Sequence, residues 1–347
     1  MTALKTRQPT GKVPYPFILI EGEEKAGKSW KGAEFSASEK VGRFLWLDLG
    51  EGAGDEYLAI PGARYELIEH DGSYRSILAQ VCAAHAEAAR AAAAGEPPVV
   101  LFFDNGTQLW DLLKSWIDNR ARKRKSNEAK LAKDPDAEID ITSDLWNDAT
   151  DRWRAILTKL MTFPGIAIMV ARGKETIAMD SNGRPIPRQK DYRVEGQKNL
   201  AYDASVWLRM TREDGSFLVG ARSVHSGVRP VKGARPKPLP DDWSLEHLVF
   251  DVLKCQPGEA HVRDLKPTGA AVEEKSDSEL ARAKSKVWEL AQKLGWNANQ
   301  LGADYTKTHD GALIATASSV DLGEYAAELQ QELEARGKKD APEAAAS

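Results

Sequence analysis

The sequence predicts an α/β fold: a mostly parallel sheet with helices on both faces, followed by a small, mainly helical C-terminal domain. Three observations carry this expectation. Short apolar runs alternate with longer segments of helical period between residues 17 and 221. A glycine-containing turn with Lys and Ser follows the first run directly. Near residue 255 the composition shifts to Pro, Gly and charge before helical periodicity resumes.

Taken in order, residues 1–13 read as a flexible arm. Phe17 to Ile20 is a continuous apolar run of the kind a strand buried on both faces requires. A helix is expected from Lys28. Phe44 to Leu47, ending in Asp48, is the second strand, and Tyr65 to Ile68 the third. Ser73 to Ala94 places Ile77, Val81, Ala84 and Ala88 on one helical face and stops at Gly95-Glu-Pro-Pro98. Val99 to Phe103 is the next strand, ending at Asp104, with a helix marked by Leu109, Leu112, Leu113 and Trp116 after it. Residues 119–142, basic then acidic, read as an exposed excursion. Asp144 to Met161 is helical, Ile166 to Val170 is a strand, and 173–199 reads as a second long loop. Val206 to Met210 and Phe217 to Ala221 pair through Glu213-Asp-Gly215. The expected domains are therefore 14–254, a linker 255–275, a helical domain 276–336 opened by the capping box Ser276-Asp-Ser-Glu279, and a disordered tail 337–347.

Composition narrows the function classes. The chain has 347 residues, 42% of them hydrophobic, enough for a sizeable core. Its formal net charge of −4 excludes coating nucleic acid through bulk positive charge, so any such partner must meet local basic segments. No apolar run approaches the ~20 residues of a membrane-spanning helix, and no membrane role is expected. Two cysteines, Cys82 and Cys255, imply no disulfide framework and fit a reducing cytoplasm. The six histidines show no zinc-ligand spacing.

The chemistry concentrates in Gly22-Glu-Glu-Lys-Ala-Gly-Lys-Ser29, which satisfies G-x-x-x-x-G-K-[ST] in full. In such a loop Gly22, Glu23, Glu24, Lys25, Ala26 and Gly27 turn backbone N–H groups toward phosphate oxygens. Lys28 supplies a point charge, Ser29 ligates Mg²⁺, and Trp30 follows in the helix whose positive end faces the anion. ATP with Mg²⁺ is the expected ligand. Val99 to Asp104 has the Walker-B pattern, with Asp104 as the second magnesium residue. Asp48-Leu-Gly-Glu51 leaves the second strand at the same edge of the sheet. Glu51 is the preferred general base and Asp48 the alternative.

The order of these parts, continued by Ile166-Ala-Ile-Met-Val-Ala-Arg-Gly-Lys-Glu175 and by Tyr192 to Met210, resembles the phage nucleotide-binding ATPases with a minimal RecA-like core. Some of that group are single-strand annealing recombinases. The resemblance covers about residues 14–250. It implies a RecA-like P-loop ATPase that acts on single-stranded DNA in recombination, annealing or replication. It also implies a ring or filament of identical subunits, within a bacterial host if phage-encoded. Asp104 carries over as the magnesium aspartate and Glu51 as the catalytic acid. Where RecA has a sensor glutamine after the strand at 166–170, this chain has Arg172 and Lys174.

The resemblance also directs attention to two segments as DNA contacts. One is basic and holds Arg120, Arg122, Lys123, Arg124 and Lys125; the other holds Arg188, Lys190 and Arg193, with Tyr192 able to stack a base. Arg229, or alternatively Arg222, is the expected residue reaching a neighbour's γ-phosphate. The C-terminal domain is a possible contact for another replication or recombination protein. Two other classes fit the same loop: a P-loop kinase with 119–133 as its lid, and a helicase-loader-like adaptor. Phosphate transfer to a small acceptor would mark the first, and nucleotide binding without turnover the second.

Overall fold

The computed structural model describes residues 4, 6–50, 52–179, 184–228, 235–256, 260–263, 265, 270–308, 314, 317 and 319–339. It divides into two units, Met1–Leu265 and Lys266–Ser347.

The first unit is built on one sheet with strands β1 (Phe17–Gly22), β2 (Phe44–Asp48), β3 (Tyr65–Leu67), β4 (Val100–Asp104), β5 (Ile166–Met179), β6 (Pro185–Glu195), β7 (Val206–Met210), β8 (Ser216–Ala221) and β9 (Lys237–Pro238). Their order is β3-β2-β4-β5-β1-β7-β8-β9, with β6 paired to β5 beyond the sheet edge. From β3 to β7 every pairing is parallel; β8, β9 and β6 pair antiparallel. This is the RecA-like arrangement, in which one strand, here β5, separates the strand before the phosphate loop from the strand ending in Asp104.

Helices α1 (Lys28–Ser36), α2 (Gly54–Tyr57), α3 (Tyr74–Ala93), α4 (Gly106–Arg122), α5 (Lys125–Leu131), α6 (Ser143–Met161) and α7 (Leu200–Asp203) connect the strands. Alternation of side chains along each strand builds a core on each face. Leu19, Leu101, Phe103 and Met169 meet α3, α4 and α6 through Val81, Leu113 and Trp153. Ile20, Trp46, Phe102 and Ile168 meet Ala33 and Phe35 of α1 and a π-helical turn over His247–Val252. Trp46 is fully buried and Trp207 partly buried, as expected of tryptophans in strands. Ser73 caps α3 by accepting from the N–H of Ser76.

Two expected loops are regular structure. Residues 119–131 continue α4 and form α5. The buried stripe Leu109, Leu113, Ile117, Ala121 advances by four residues and carries α4 through its charged end. Buried Asn127 then ties α5 back by donating from Nδ2 to the Ala121 carbonyl at 2.8 Å. Residues 173–179 of β5 and 185–195 of β6 pair antiparallel as the two arms of a hairpin, with Lys174 opposite Arg193 and Glu175 opposite Tyr192. Backbone pairing makes these strands, so their charged side chains gave no apolar signal.

The first unit also extends past residue 254. The Tyr15 N–H donates to the His261 carbonyl at 3.2 Å, and Cys255 is buried. Val13, within the expected arm, packs against the core. The second unit contains α8 (Ala270–Lys293), α9 (Ala298–Thr308) and α10 (Ser319–Lys339), around Val287, Leu290, Tyr305, Tyr325 and Leu329. Helix α8 starts six residues before the Ser276 box, and α10 runs two residues beyond Gly337. Residues 340–347 of the expected tail lie outside the described residues. Among the described residues no helix is long and apolar enough to cross a membrane.

Ile168 lies on β5 between Ile18 of β1 and Phe102 of β4, fully buried. Ile168→Ala should cost about 2–5 kcal/mol of unfolding free energy through the cavity it leaves, measured by urea denaturation of the full chain.

Candidate functional site: the phosphate loop and its flanking hairpin

The strand register brings the site together. Gly22 at the end of β1 lies opposite Arg172 of β5 and Met210 of β7. Asp104 of β4 lies opposite Val170 of β5 and Asp48 of β2. All these ends share the carboxyl edge of the sheet, where α/β proteins bind ligands.

The loop between β1 and α1 turns through Gly27, whose φ of 88° is a left-handed conformation unfavourable to side-chain-bearing residues. Gly27 is the N-cap of α1, so the first free N–H groups of that helix face the loop. Lys28 Nζ donates to the carbonyls of Gly22, at 3.0 Å, and Glu23. This places its ammonium over the mouth of the loop. Ser29 Oγ donates to Asp104 Oδ2 at 2.7 Å. Residues 75 positions apart thus present adjacent oxygens, the donor set a hard divalent cation takes.

A cleft of about 780 Å³ runs along this edge. Glu23, Glu24, Lys25, Lys28, Ser29 and Asp104 border it on one side, and Arg172, Lys174, Glu175 and Glu195 of the hairpin on the other. Helix α4 starts beside Asp104, capped by Asn105 accepting from the Gln108 N–H at 2.9 Å. Thr107 in its first turn hooks the hairpin, because its Oγ1 accepts from the Arg172 N–H at 3.0 Å and donates to the Glu195 carbonyl.

Behind the loop lies a feature with no motif to announce it. Glu21, fully buried one residue before Gly22, accepts from Arg209 Nε at 2.6 Å. Burial pushes its carboxyl above the usual range, and Arg209 pulls the other way. The Arg209 guanidinium also sits 4.5 Å from the centre of the Tyr192 ring on β6. Gly173 crosses directly above: a Cβ there would stand 2.2 Å from Glu21 Oε2. The only sequence trace of this arrangement is an acid at the end of an apolar strand and an arginine within another.

The remaining expected residues fall in different places. Ala26 and Trp30 do not border the cleft; Trp30 is exposed on α1, donates to Glu34 at 2.7 Å and meets the edge of Tyr57. Asp48 also lies outside the cleft wall, with its carbonyl bound to the His70 ring. Glu51 is outside the described residues, while Ala53, Glu56 and Tyr57 of the same segment border the cleft. Arg229 is outside the described residues, as are the side chains of Arg188 and Lys190.

The basic 120–125 segment sits one helix away from the site. The 17 residues of α4 span about 25 Å, starting at Asp104 and running away from the cleft. There Arg122 pairs with Asp118 and Arg124 with Asp144, Arg120 lies over Trp116, and Lys123 and Lys125 are exposed. A lid role for this segment is therefore corrected. Arg222 stands beside the start of β7, at the opposite edge of the sheet, and donates to the Tyr202 carbonyl at 2.6 Å.

The geometry predicts distinct losses. Lys28→Ala should weaken nucleotide binding by ~10–100-fold, the worth of a hydrogen-bonded charge. Asp104→Asn should weaken it only when Mg²⁺ is present. Calorimetry with and without the cation separates the two, and equal affinities for Asp104→Asn and the parent chain in Mg²⁺ would remove Asp104 from the cation site.

Comparison with known proteins follows the same geometry. No curated protein matches the chain. Among solved structures it is similar to a RadB recombinase, at 12% identity over 61% of this chain and 84% of that one, with a TM-score of 0.35. It is also similar to an ATPase from the type III secretion system of pathogenic bacteria, at 16% identity over 57% and 52%, with a TM-score of 0.33. A family model described as an AAA domain matches residues 15–229, well over half of the chain and all of the cleft. With a complete phosphate loop on a RecA-like sheet, the chain belongs to this AAA domain family and is a P-loop ATPase, an NTP hydrolase.

Proposed function

We propose that the protein couples ATP hydrolysis to the binding of single-stranded DNA along the β5–β6 hairpin, in recombination, annealing or replication of the phage type. The observation that carries this reading is the hairpin's origin. Strand β5 passes between the strands bearing Gly22 and Asp104, borders the cleft with Arg172 and Lys174, and then continues beyond the sheet. Residues 173–179 project roughly 20 Å at strand spacing. The projecting part exposes Ile177 and Met179 and carries Lys174, Arg184 and Arg193. Apolar and cationic groups on an extended ribbon suit a flexible polyanion with stackable bases.

In this reading Lys28 holds the β- and γ-phosphates, and Ser29 and Asp104 hold Mg²⁺, for which their paired oxygens fit. The cation supplies charge stabilisation on the transferred phosphoryl group when bound. The water-activating acid comes from the segment after β2, with Glu51 as the choice, because its neighbours Ala53 and Glu56 border the cleft. Arg209 ties the hairpin to the phosphate loop: it bonds Glu21 before the loop and stacks on Tyr192 of β6. Assembly of identical subunits, with Arg229 reaching the next subunit's nucleotide, belongs to the same reading.

The test is the ATPase rate of the full chain with and without oligo(dT). Stimulation is expected, with ssDNA affinity falling as salt rises. Arg184→Ala with Arg193→Ala should reduce the slope of log affinity against log salt by about 0.7 for each phosphate the variant no longer neutralises. An ATPase indifferent to oligo(dT), with no measurable ssDNA binding, would overturn the proposal.

A further inference from the structure

A second cavity, of about 300 Å³, lies in the first unit at the amino edge of the sheet, on the side opposite the phosphate loop. Its walls come from the chain before β1 (Val13, Pro14, Pro16), the start of β7 (Val206), the turn after β8 (Val224) and Leu253. These are apolar. The polar groups facing it are Lys12, Arg222, His225, Arg263 and the hydroxyls of Ser205 and Ser223, and no carboxylate lines it among the described residues.

The two arginines are the anomaly. Arg263 has a buried Nη1 with no hydrogen-bond partner, and neither it nor Arg222 has an acid within ion-pair distance among the described residues. Arg222 spends one nitrogen on the carbonyls of Tyr202 and Asp203. The Asp203 carboxyl, itself half-buried, is the nearby acid that feels Arg222, yet it does not border the cavity. Burial and the Arg222 charge both disfavour the charged form of Arg263. A guanidinium cannot escape by losing its proton at neutral pH, so the partly buried Arg263 keeps its charge, with Nη1 unpartnered, beside the exposed Arg222, and an anion in the cavity would meet both. Serine hydroxyls do not supply one: Ser205 Oγ is committed to the backbone of Phe17.

We propose that this cavity binds a small organic anion, a phosphate or carboxylate head held by Arg222 and Arg263 with an apolar body against Val13, Pro16, Val206, Val224 and Leu253. The volume and the few convergent polar groups on apolar walls match a ligand pocket rather than a packing flaw. The site is independent of the proposed DNA function, since none of its residues borders the ATP cleft.

The experiment titrates 1-anilinonaphthalene-8-sulfonate, an apolar body with one anionic head, into the full chain saturated with Mg-ADP, so that the phosphate loop is occupied. Saturable fluorescence is expected. Arg263→Met should weaken the affinity at least about tenfold, the order of one charge-assisted hydrogen bond, and Arg263→Lys should retain part of it. Arg263→Met should also melt at a higher temperature than the parent chain without ligand, because it removes a partly buried charge whose Nη1 has no partner. Displacement by phenyl phosphate or by octanoate identifies the head group. Unchanged affinity in Arg263→Met, or no saturable binding by the parent chain, overturns the proposal. Should Arg263→Met fail to fold, Arg263→Lys decides: affinity equal to the parent's together with no displacement by either anion overturns it equally.

Discussion

Everything at the ATP site depends on β5 lying between β1 and β4. Parallel pairing on both sides fixes Val170 opposite Asp104 and Arg172 opposite Gly22. That register brings Asp104 within 2.7 Å of Ser29, although the strand before the loop and the strand ending in Asp104 do not pair. Both faces of β5 are buried up to Ala171, so a one-residue slip would turn apolar side chains against the wrong layer. Core packing therefore sets the spacing of the two groups suited to hold a cation.

The same strand leaves the core and becomes the hairpin. Its base is held at two points: Thr107 joins it to α4 beside Asp104, and the Glu21–Arg209–Tyr192 contacts join it to the strand before the phosphate loop. A fully buried carboxylate is costly without a partner, so Glu21 ties Arg209 firmly in place. Gly173 allows the backbone to pass over that pair at a distance no side chain would permit.

The amino edge of the sheet carries a different chemistry. The carboxyl edge balances cations with Glu23, Glu24, Glu175 and Glu195 around the cleft, whereas the cavity at the amino edge gathers arginines against apolar walls. Opposite ends of one sheet thus differ in both charge and polarity.

How much was legible follows from which forces leave a local trace. The sequence by itself determined the mostly parallel sheet and the phosphate loop, and its resemblance to a family implied the RecA-like form. Buried parallel strands must be continuous apolar runs, and a phosphate loop needs its Gly, Lys and Ser at fixed spacing. It did not reveal that 173–179 and 185–195 are paired strands, because charged strands are held by backbone hydrogen bonds that any residue makes. Nor did it show that α4 carries the basic 120–125 segment away from the cleft, because charge masked the buried positions Ile117 and Ala121. Only the tertiary structure decided that Glu21, Arg209 and Tyr192 meet, and that Arg222 and Arg263 face one cavity. Each group joins residues far apart in sequence, and no local periodicity records a contact made only when the sheet closes.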